Sequence, residues 1–89
     1  MDARQLSKRL EEVASFVPDG ARLADIGSDH AYLPANLALN GKIAFAVAGE
    51  VVKGPFENAQ HEIKKEGLEA KVKARLPDVL RLLLQDLLF

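Results

Sequence analysis

The spacing of apolar residues in the first part of the chain predicts an amphipathic helix. This helix would run from about Ala3 to Phe16, with Asp2 as its N-cap and Gln5 at the capping-box position. Pro18-Asp19-Gly20 would end it. The apolar positions that recur at helical spacing are Leu6, Leu10, Val13, Ala14 and Val17.

Shorter apolar runs further along the chain predict strands. Arg22 to Ile26 is the first. Ile43 to Ala48 contains almost no polar residue, which indicates a strand buried on both faces, as in a parallel sheet. Lys71 to Leu76 alternates more weakly and is the third candidate. The chain is therefore expected to contain a small sheet.

Helical patterns separate these strands. One runs from about Tyr32 to Leu39 and is stopped by Asn40-Gly41, and another runs from Pro55 to Glu66 before Gly67. A last helix would begin at Pro77-Asp78 and run close to Phe89. Strands that alternate with helices indicate right-handed crossovers and a parallel three-layer α/β sheet.

Length and composition narrow the classes of function. The 89 residues make one domain or part of one, and the net charge of −1 gives no overall field that would attract nucleic acid. RNA or DNA contact would therefore need a local basic patch. The sequence has no Cys, which excludes disulfides and thiolate metal sites and fits a reducing cytoplasm. No apolar run approaches the length that spans a membrane.

The stretch from Asp25 to Pro34 carries the most specific chemistry. It follows a predicted strand and precedes a predicted helix, and Gly27 would let a ligand approach the backbone closely. Glu50 ends the second strand, where a carboxylate can accept hydrogen bonds from a ribose diol. Asp25, Gly27 and Glu50 together predict an adenosine-type pocket. The alternative is a tight βα turn followed by an acid without a binding role.

Two residues of the same stretch have open interpretations. Asp29 is either an N-cap of the next helix or a carboxylate at the pocket mouth that handles an amine or a proton. His30 either contacts a ligand or is simply solvated. With His61 as the second and last histidine, no metal site is expected. Lys8 and Arg9 either contact phosphates or form the polar side of the first helix.

Three blocks of sequence resemble the bacterial tRNA (adenine-22-N1) methyltransferase family, the TrmK family. The resemblance covers about Leu6 to Arg75. The blocks are Leu6-Ser7-Lys8-Arg9-Leu10, Ala24-Asp25-Ile26-Gly27-Ser28-Asp29-His30-Ala31-Tyr32-Leu33-Pro34 and Ala48-Gly49-Glu50-Val51-Val52-Lys53-Gly54-Pro55. The resemblance implies a Rossmann-like, class I methyltransferase fold, S-adenosylmethionine as cofactor, a tRNA adenine as substrate and a cytoplasmic location.

The resemblance also implies roles for single residues. Asp25, Gly27 and Ser28 would belong to the first cofactor motif, with His30 beside it. Glu50 would hold the ribose hydroxyls and Val51 would lie against the adenine. Asp29 would be the acid near the target base, the catalytic candidate. Lys8 and Arg9 would contact the RNA. Asp78 falls where an acid contacts the adenine amine, although Leu76-Pro77-Asp78-Val79 lacks the glycine of the family's turn.

Family members continue with further strands and a motif that faces the target base. Residues 1–89 are therefore expected to be the N-terminal half of such a fold, a partial cofactor-binding domain that is inactive alone. The alternative is a non-catalytic half-domain that folds and self-associates. Self-association would use the exposed edge of the first strand and a wide leucine stripe near the end of the chain, formed by Leu80, Leu83, Leu84, Leu87 and Leu88.

Overall fold

The computed structural model describes residues 2–27 and 30–76, and these residues alternate between helices and strands. The elements in chain order are α1 (Lys8–Ser15), β1 (Ala21–Ile26), α2 (Tyr32–Leu39), β2 (Ile43–Gly49), α3 (Lys53–Lys65) and β3 (Val72–Arg75). The predicted order is thus confirmed through the third strand. The predicted last helix, from Pro77, lies outside the described residues.

The three strands form one parallel sheet in the order β1-β2-β3. In its register, Ile26 lies opposite Gly49, and Gly49 lies opposite Arg75. The carboxyl ends of all three strands therefore meet at one edge of the sheet. The predicted arrangement of three parallel strands with flanking helices is confirmed.

One face of this sheet forms the core with α2 and α3. Ala46, Ala48, Val72 and Ala74 are buried in the same cluster as residues of both helices, among them Leu37. Small side chains on the strands let the helices approach the sheet closely, and burial of the apolar surface drives this packing.

The opposite face is less covered, which corrects the expectation for β2. Phe45 and Val47 are only half-buried, and Ala44 is exposed at the register shift near the start of β2, so this strand is not fully buried along its length. Strand alternation and register place Phe45 and Val47 on the same face as Lys73 and Arg75 of β3. The apolar run gave the correct strand because the core face needs only every second residue.

The first helix begins later than predicted, at Lys8 rather than about Ala3. Ser7 is its N-cap, with its hydroxyl accepting from the N–H of Leu10 at 3.3 Å. The Asp2 carboxylate accepts from the backbone N–H groups of Arg4 and Gln5 in a separate turn, and these bonds lower the pKa of Asp2. The capping-box spacing at Asp2 therefore belongs to a local turn, because an Asp side chain caps a turn as readily as a helix.

The segment before α1 is tied to α2 and α3 by two hydrogen bonds and an ion pair. Ala3 is fully buried, and its N–H donates to the Glu62 carboxylate at 3.3 Å. The Asn36 side-chain amide donates to the carbonyl of Ala3 at 2.9 Å. Arg4 forms an ion pair with Glu66 at 3.1 Å. These contacts hold the N-terminal segment on the helical layer although α1 itself has no buried residue.

The helix ends follow the sequence signals closely. Gly41 and Gly67 both have a positive φ directly after α2 and α3, as a left-handed helix stop requires. The start of α3 is corrected from Pro55 to Lys53. A proline in the first turn is compatible with this start, because the first N–H groups of a helix have no partner within it.

Candidate functional site at the carboxyl edge of the sheet

The structure brings Asp25, Gly27 and Glu50 to the same edge. Asp25 pairs with Ala48 in the register, and the N–H of Gly27 donates to the carbonyl of Gly49 at 2.8 Å. Glu50 follows directly, and its own N–H donates to the carbonyl of Arg75 at 2.9 Å. The chain leaves β1 and β2 side by side, which is where ligands bind in open α/β sheets.

Glu50 is the most buried charged residue of this edge. Only 3% of its surface is exposed, whereas the next residue, Val51, is 68% exposed. A carboxylate with little access to water is costly unless it interacts with polar groups. The pair thus offers a buried acceptor and an accessible apolar side chain next to each other.

The turn after β1 has an unusual backbone. Gly27 has a φ of +72°, and among the described residues a Cβ at this position would meet no atom within 4 Å. The backbone conformation, rather than crowding by the described residues, therefore requires the glycine. Ser28 and Asp29 lie outside the described residues.

The N-cap of α2 is Ala31. Ala31 has a φ of 58°, forms no side-chain capping bond and is fully buried. The capping position is therefore taken by a residue without a polar side chain. Asp29 lies outside the described residues, so its interpretation as a capping residue stays a prediction. Its candidate role near the target base stays a prediction.

His30 is half-buried and stacks on Tyr32. Their ring centroids are 4.9 Å apart and the ring planes are inclined by 9°. The expectation of a simply solvated His30 is therefore wrong. The sequence pattern gave no role to Tyr32, although an aromatic residue two positions from a histidine in a turn is the available signal for such a stack.

Lys8 and Arg9 are the first two residues of α1. Both side chains are exposed. The last turn of α1 is bound by Lys42, whose ammonium group donates to the carbonyl of Ala14 at 3.1 Å. Lys42 precedes β2, so this end of α1 lies at the amino edge of the sheet. Asp78 lies outside the described residues.

An open cavity of about 410 Å³ lies between α3 and β3 rather than between the ends of β1 and β2. Its lining includes Lys64, Lys73, Arg75 and Glu69 over an apolar floor. Their shared cavity depends on how α3 packs on β3, which the sequence pattern does not specify.

Two further findings bear on the class of protein. Within the described residues, no cluster of three or more His, Asp or Glu side chains has a geometry that would hold a metal ion. Across residues 2–27 and 30–76, no helix has the length and hydrophobicity of a bilayer-spanning segment.

The parallel sheet, and the residues that meet at the carboxyl ends of its strands, agree with the family that the sequence matches. The family model described as "Methyltransferase domain" matches residues 6–87. The chain therefore belongs to the methyltransferase domain family.

Within that family, the chain is similar to tRNA methyltransferases. It is 47% identical over 83 residues to the tRNA (adenine(22)-N(1))-methyltransferase of Bacillus subtilis, which covers 93% of this chain and 35% of the relative. The resemblance to the TrmK family is confirmed. The chain spans about a third of the length of this relative.

Solved structures show the same fold. A protein of the NADB-Rossmann superfamily from Streptococcus agalactiae superposes with a TM-score of 0.82 at 55% identity, over 86% of this chain and 34% of that one. TrmK of M. capricolum, in complex with S-adenosylhomocysteine, gives a TM-score of 0.78 at 38% identity, over 81% and 32%. The Rossmann-like fold of a class I methyltransferase is thus confirmed.

Proposed function

We propose that this chain is the cofactor-binding part of an S-adenosylmethionine-dependent methyltransferase that modifies N1 of an adenine in tRNA. The observation that carries the proposal is the meeting of the Gly27 turn with the buried Glu50 at the ends of two parallel strands. The similarity to tRNA (adenine-22-N1) methyltransferases supports the substrate. Residues 1–89 would act as one partial cofactor-binding domain.

The residues at the edge have the chemistry that the cofactor needs. An ionised carboxylate is an acceptor only, so Glu50 suits a pair of ribose hydroxyls. Val51 offers an apolar surface to an adenine ring, and its exposure of 68% leaves it accessible. Asp25, Gly27 and Ser28 would line the first turn, with His30 beside them. The cofactor would supply the methyl group, as a sulfonium.

The protein's part in the reaction would be mainly positional. N1 of the adenine must lie in line with the methyl group, and little acid–base work is needed beyond removal of a proton. Asp29 is the candidate for that role. His30, the next residue in the chain, stacks on Tyr32 at the start of α2.

Two assignments are carried by the resemblance more than by geometry. Asp78 would contact the adenine amine of the cofactor. Lys8 and Arg9 would contact RNA, which their exposure allows. A cytoplasmic location is proposed from the absence of Cys and from the similarity to tRNA methyltransferases.

Calorimetric titration with S-adenosylhomocysteine tests the pocket without requiring turnover. Saturable binding with one site per chain is expected. A matched titration with adenosine monophosphate controls for general affinity towards nucleotides. Absence of binding by a folded chain, as judged by circular dichroism, would contradict the proposed function.

A second candidate is a half-domain that self-associates without catalysis. One observation favours it. Within the described part of the chain, β1 pairs with β2 alone, so its other edge carries backbone groups that can bond a second strand. The leucine stripe that would complete the interface lies outside the described residues.

A further inference from the structure

The cavity between α3 and β3 differs in charge from the rest of the chain. Among its described lining residues, Lys64, Lys73 and Arg75 are positive and Glu69 is negative, which leaves a net charge of +2 with His61 neutral. The whole chain carries −1. A local excess of positive charge on a chain with no overall field is the feature expected of a site for an anion.

The cavity follows the outer edge of the sheet. Val72 and Ala74 face the helices and are buried, whereas Lys73 and Arg75 face the other side, so side chains from both faces of β3 line it. Carbonyls of Lys71 and Arg75 accept from β2, so the N–H and C=O of Ala74 point outward. Arg75 donates to that carbonyl of Ala74 at 2.7 Å. This bond holds the Arg75 guanidinium at the outer side of β3, along the lateral edge of the sheet.

The spacing of the cations favours a chain of phosphates over one small anion. Lys73 and Arg75 are two residues apart on one strand, so their Cα atoms are separated by roughly 6.6 Å. This is close to the separation of neighbouring phosphates along a nucleic-acid strand. Lys64 reaches the same cavity from α3. His61 is the one ring among the described lining residues, so contact with the backbone is favoured over base stacking.

The cavity and the candidate site are related through β3. The carbonyl of Arg75, which lines the cavity, accepts from the N–H of Glu50 at 2.9 Å, so β3 ends beside the main chain of Glu50. An RNA strand lying along β3 would therefore arrive at the edge where the cofactor is proposed to bind. This arrangement can hold a substrate strand while one of its bases enters the site.

We propose that the cavity between α3 and β3 binds the phosphodiester backbone of the substrate RNA, through Lys64, Lys73 and the edge-bound Arg75. The inference rests on the proposed function for the identity of the RNA. The cavity would position the RNA at the lateral edge of the sheet that β3 forms, opposite the edge formed by β1.

The test measures binding of a fluorescent tRNA transcript to the 89-residue chain by anisotropy, at several salt concentrations. Lys73→Gln is expected to weaken binding roughly threefold and to lower the salt slope by about 1. The double variant Lys64→Gln/Lys73→Gln is expected to weaken it roughly tenfold. Circular dichroism and thermal melting verify that both variants fold.

Arg22→Gln is the matched control. Arg22 also lies on a strand and on the same face as Lys73, but at the opposite edge of the sheet, over the ring of Phe45. Its loss removes the same charge and is expected to change RNA affinity less than twofold. Equal weakening by Arg22→Gln and Lys73→Gln would mean that the RNA responds to charge in general, and would overturn the proposal.

Titration with S-adenosylhomocysteine separates this inference from the proposed function. Cofactor binding together with tRNA affinity that Lys64→Gln/Lys73→Gln does not change, or with no tRNA affinity, would overturn the inference alone. Loss of tRNA affinity in that variant, with no cofactor binding by any chain, would support the cavity and contradict the proposed function.

Discussion

Gly27 turns the chain out of β1 with a φ of +72°. We expect Gly27→Ala to lower the free energy of unfolding by about 1 kcal/mol, since a Cβ is strained in this left-handed region. Within the described part of the chain, no atom lies within 4 Å of the new Cβ, so crowding there does not add to the cost. Urea denaturation followed by circular dichroism measures the change.

Gly54 provides the matched control for this substitution. It lies in the first turn of α3 without a positive φ, and an added Cβ would meet no atom of residues 2–27 or 30–76 within 4 Å. Gly54→Ala is expected to leave stability unchanged or raise it by up to about 1 kcal/mol. Equal destabilisation in both variants would show that the conformation of Gly27 is not the cause.

Glu50 is the residue on which cofactor binding most depends in the proposed site. Glu50→Gln keeps the shape of the side chain but removes its charge and one acceptor. We expect affinity for S-adenosylhomocysteine to fall by about 1–3 kcal/mol, as when a hydrogen bond to a buried charged group is lost. Calorimetric titration measures the affinity.

The exposed Glu57 of α3 is the control for Glu50. Glu57→Gln removes the same charge from the surface and is expected to leave affinity unchanged. Unchanged affinity in Glu50→Gln as well would exclude Glu50 from contact with the ribose.

At the scale of elements, one carboxylate connects the N-terminal segment to α3. Glu62 is 5% exposed and accepts from the buried N–H of Ala3, with Lys65 3.9 Å away as an ion-pair partner. Glu62→Ala leaves that N–H without its acceptor. We expect a loss of about 1–3 kcal/mol in unfolding free energy and faster hydrogen exchange at Ala3.

The same substitution at Glu57, on the solvent side of α3, is the control. Glu57→Ala is expected to change stability by less than about 0.5 kcal/mol. If Glu62→Ala had so small an effect, the N-terminal segment would not depend on this contact.

The elements themselves were largely predictable from the sequence. The apolar runs that became β1 and β2 are short and bounded by glycines, and Gly41 and Gly67 mark helix ends. The start of α1 was not predictable, because the side chain of an Asp can cap a turn as readily as the first turn of a helix. Burial of Glu62 was not predictable either, since its partner Ala3 is 59 positions away in the chain.

The candidate site was predictable to a similar degree. Asp25, Gly27 and Glu50 meet because parallel strands end at a common edge, and the order of strands and helices already implies this. The stack of His30 on Tyr32 and the cationic cavity on β3 depend on side-chain packing. Periodicity describes which face a residue occupies but not which other residues share its surroundings.

At the scale of the whole molecule, the sheet has β1 at one edge and β3 at the other. Lys73 and Arg75 mark the β3 edge with charge, and Arg75 covers one outward carbonyl. The β1 edge has Ala24 and Ile26 exposed, with Asp25 as its one acidic residue. Both charges on β3 are positive and repel a second copy of the same edge, whereas β1 carries Arg22 and Asp25, which have opposite signs. The β1 edge is therefore the better candidate for self-association.

We therefore expect the chain to form a dimer or higher oligomer at micromolar concentration, measured by sedimentation. The N–H of Gly27 donates to the carbonyl of Gly49 in β2. Because backbone groups alternate in direction along a strand, those of Ala24 and Ile26 point away from β2, to the open side of β1. Ala24→Pro removes an outward N–H without loss of a bond to β2, and Ala24→Lys adds charge at the same place. Both are expected to shift the chain towards monomer.

Two comparisons make this prediction specific. Ala44→Lys introduces the same charge at an exposed position of the central strand β2 and is expected to leave the oligomer intact. Leu84→Gln tests the leucine stripe separately, and a shift to monomer would extend the interface to residues 80–88. A wild-type chain that sediments as a clean monomer would exclude self-association through either surface, because pairing through an open edge needs no further partner.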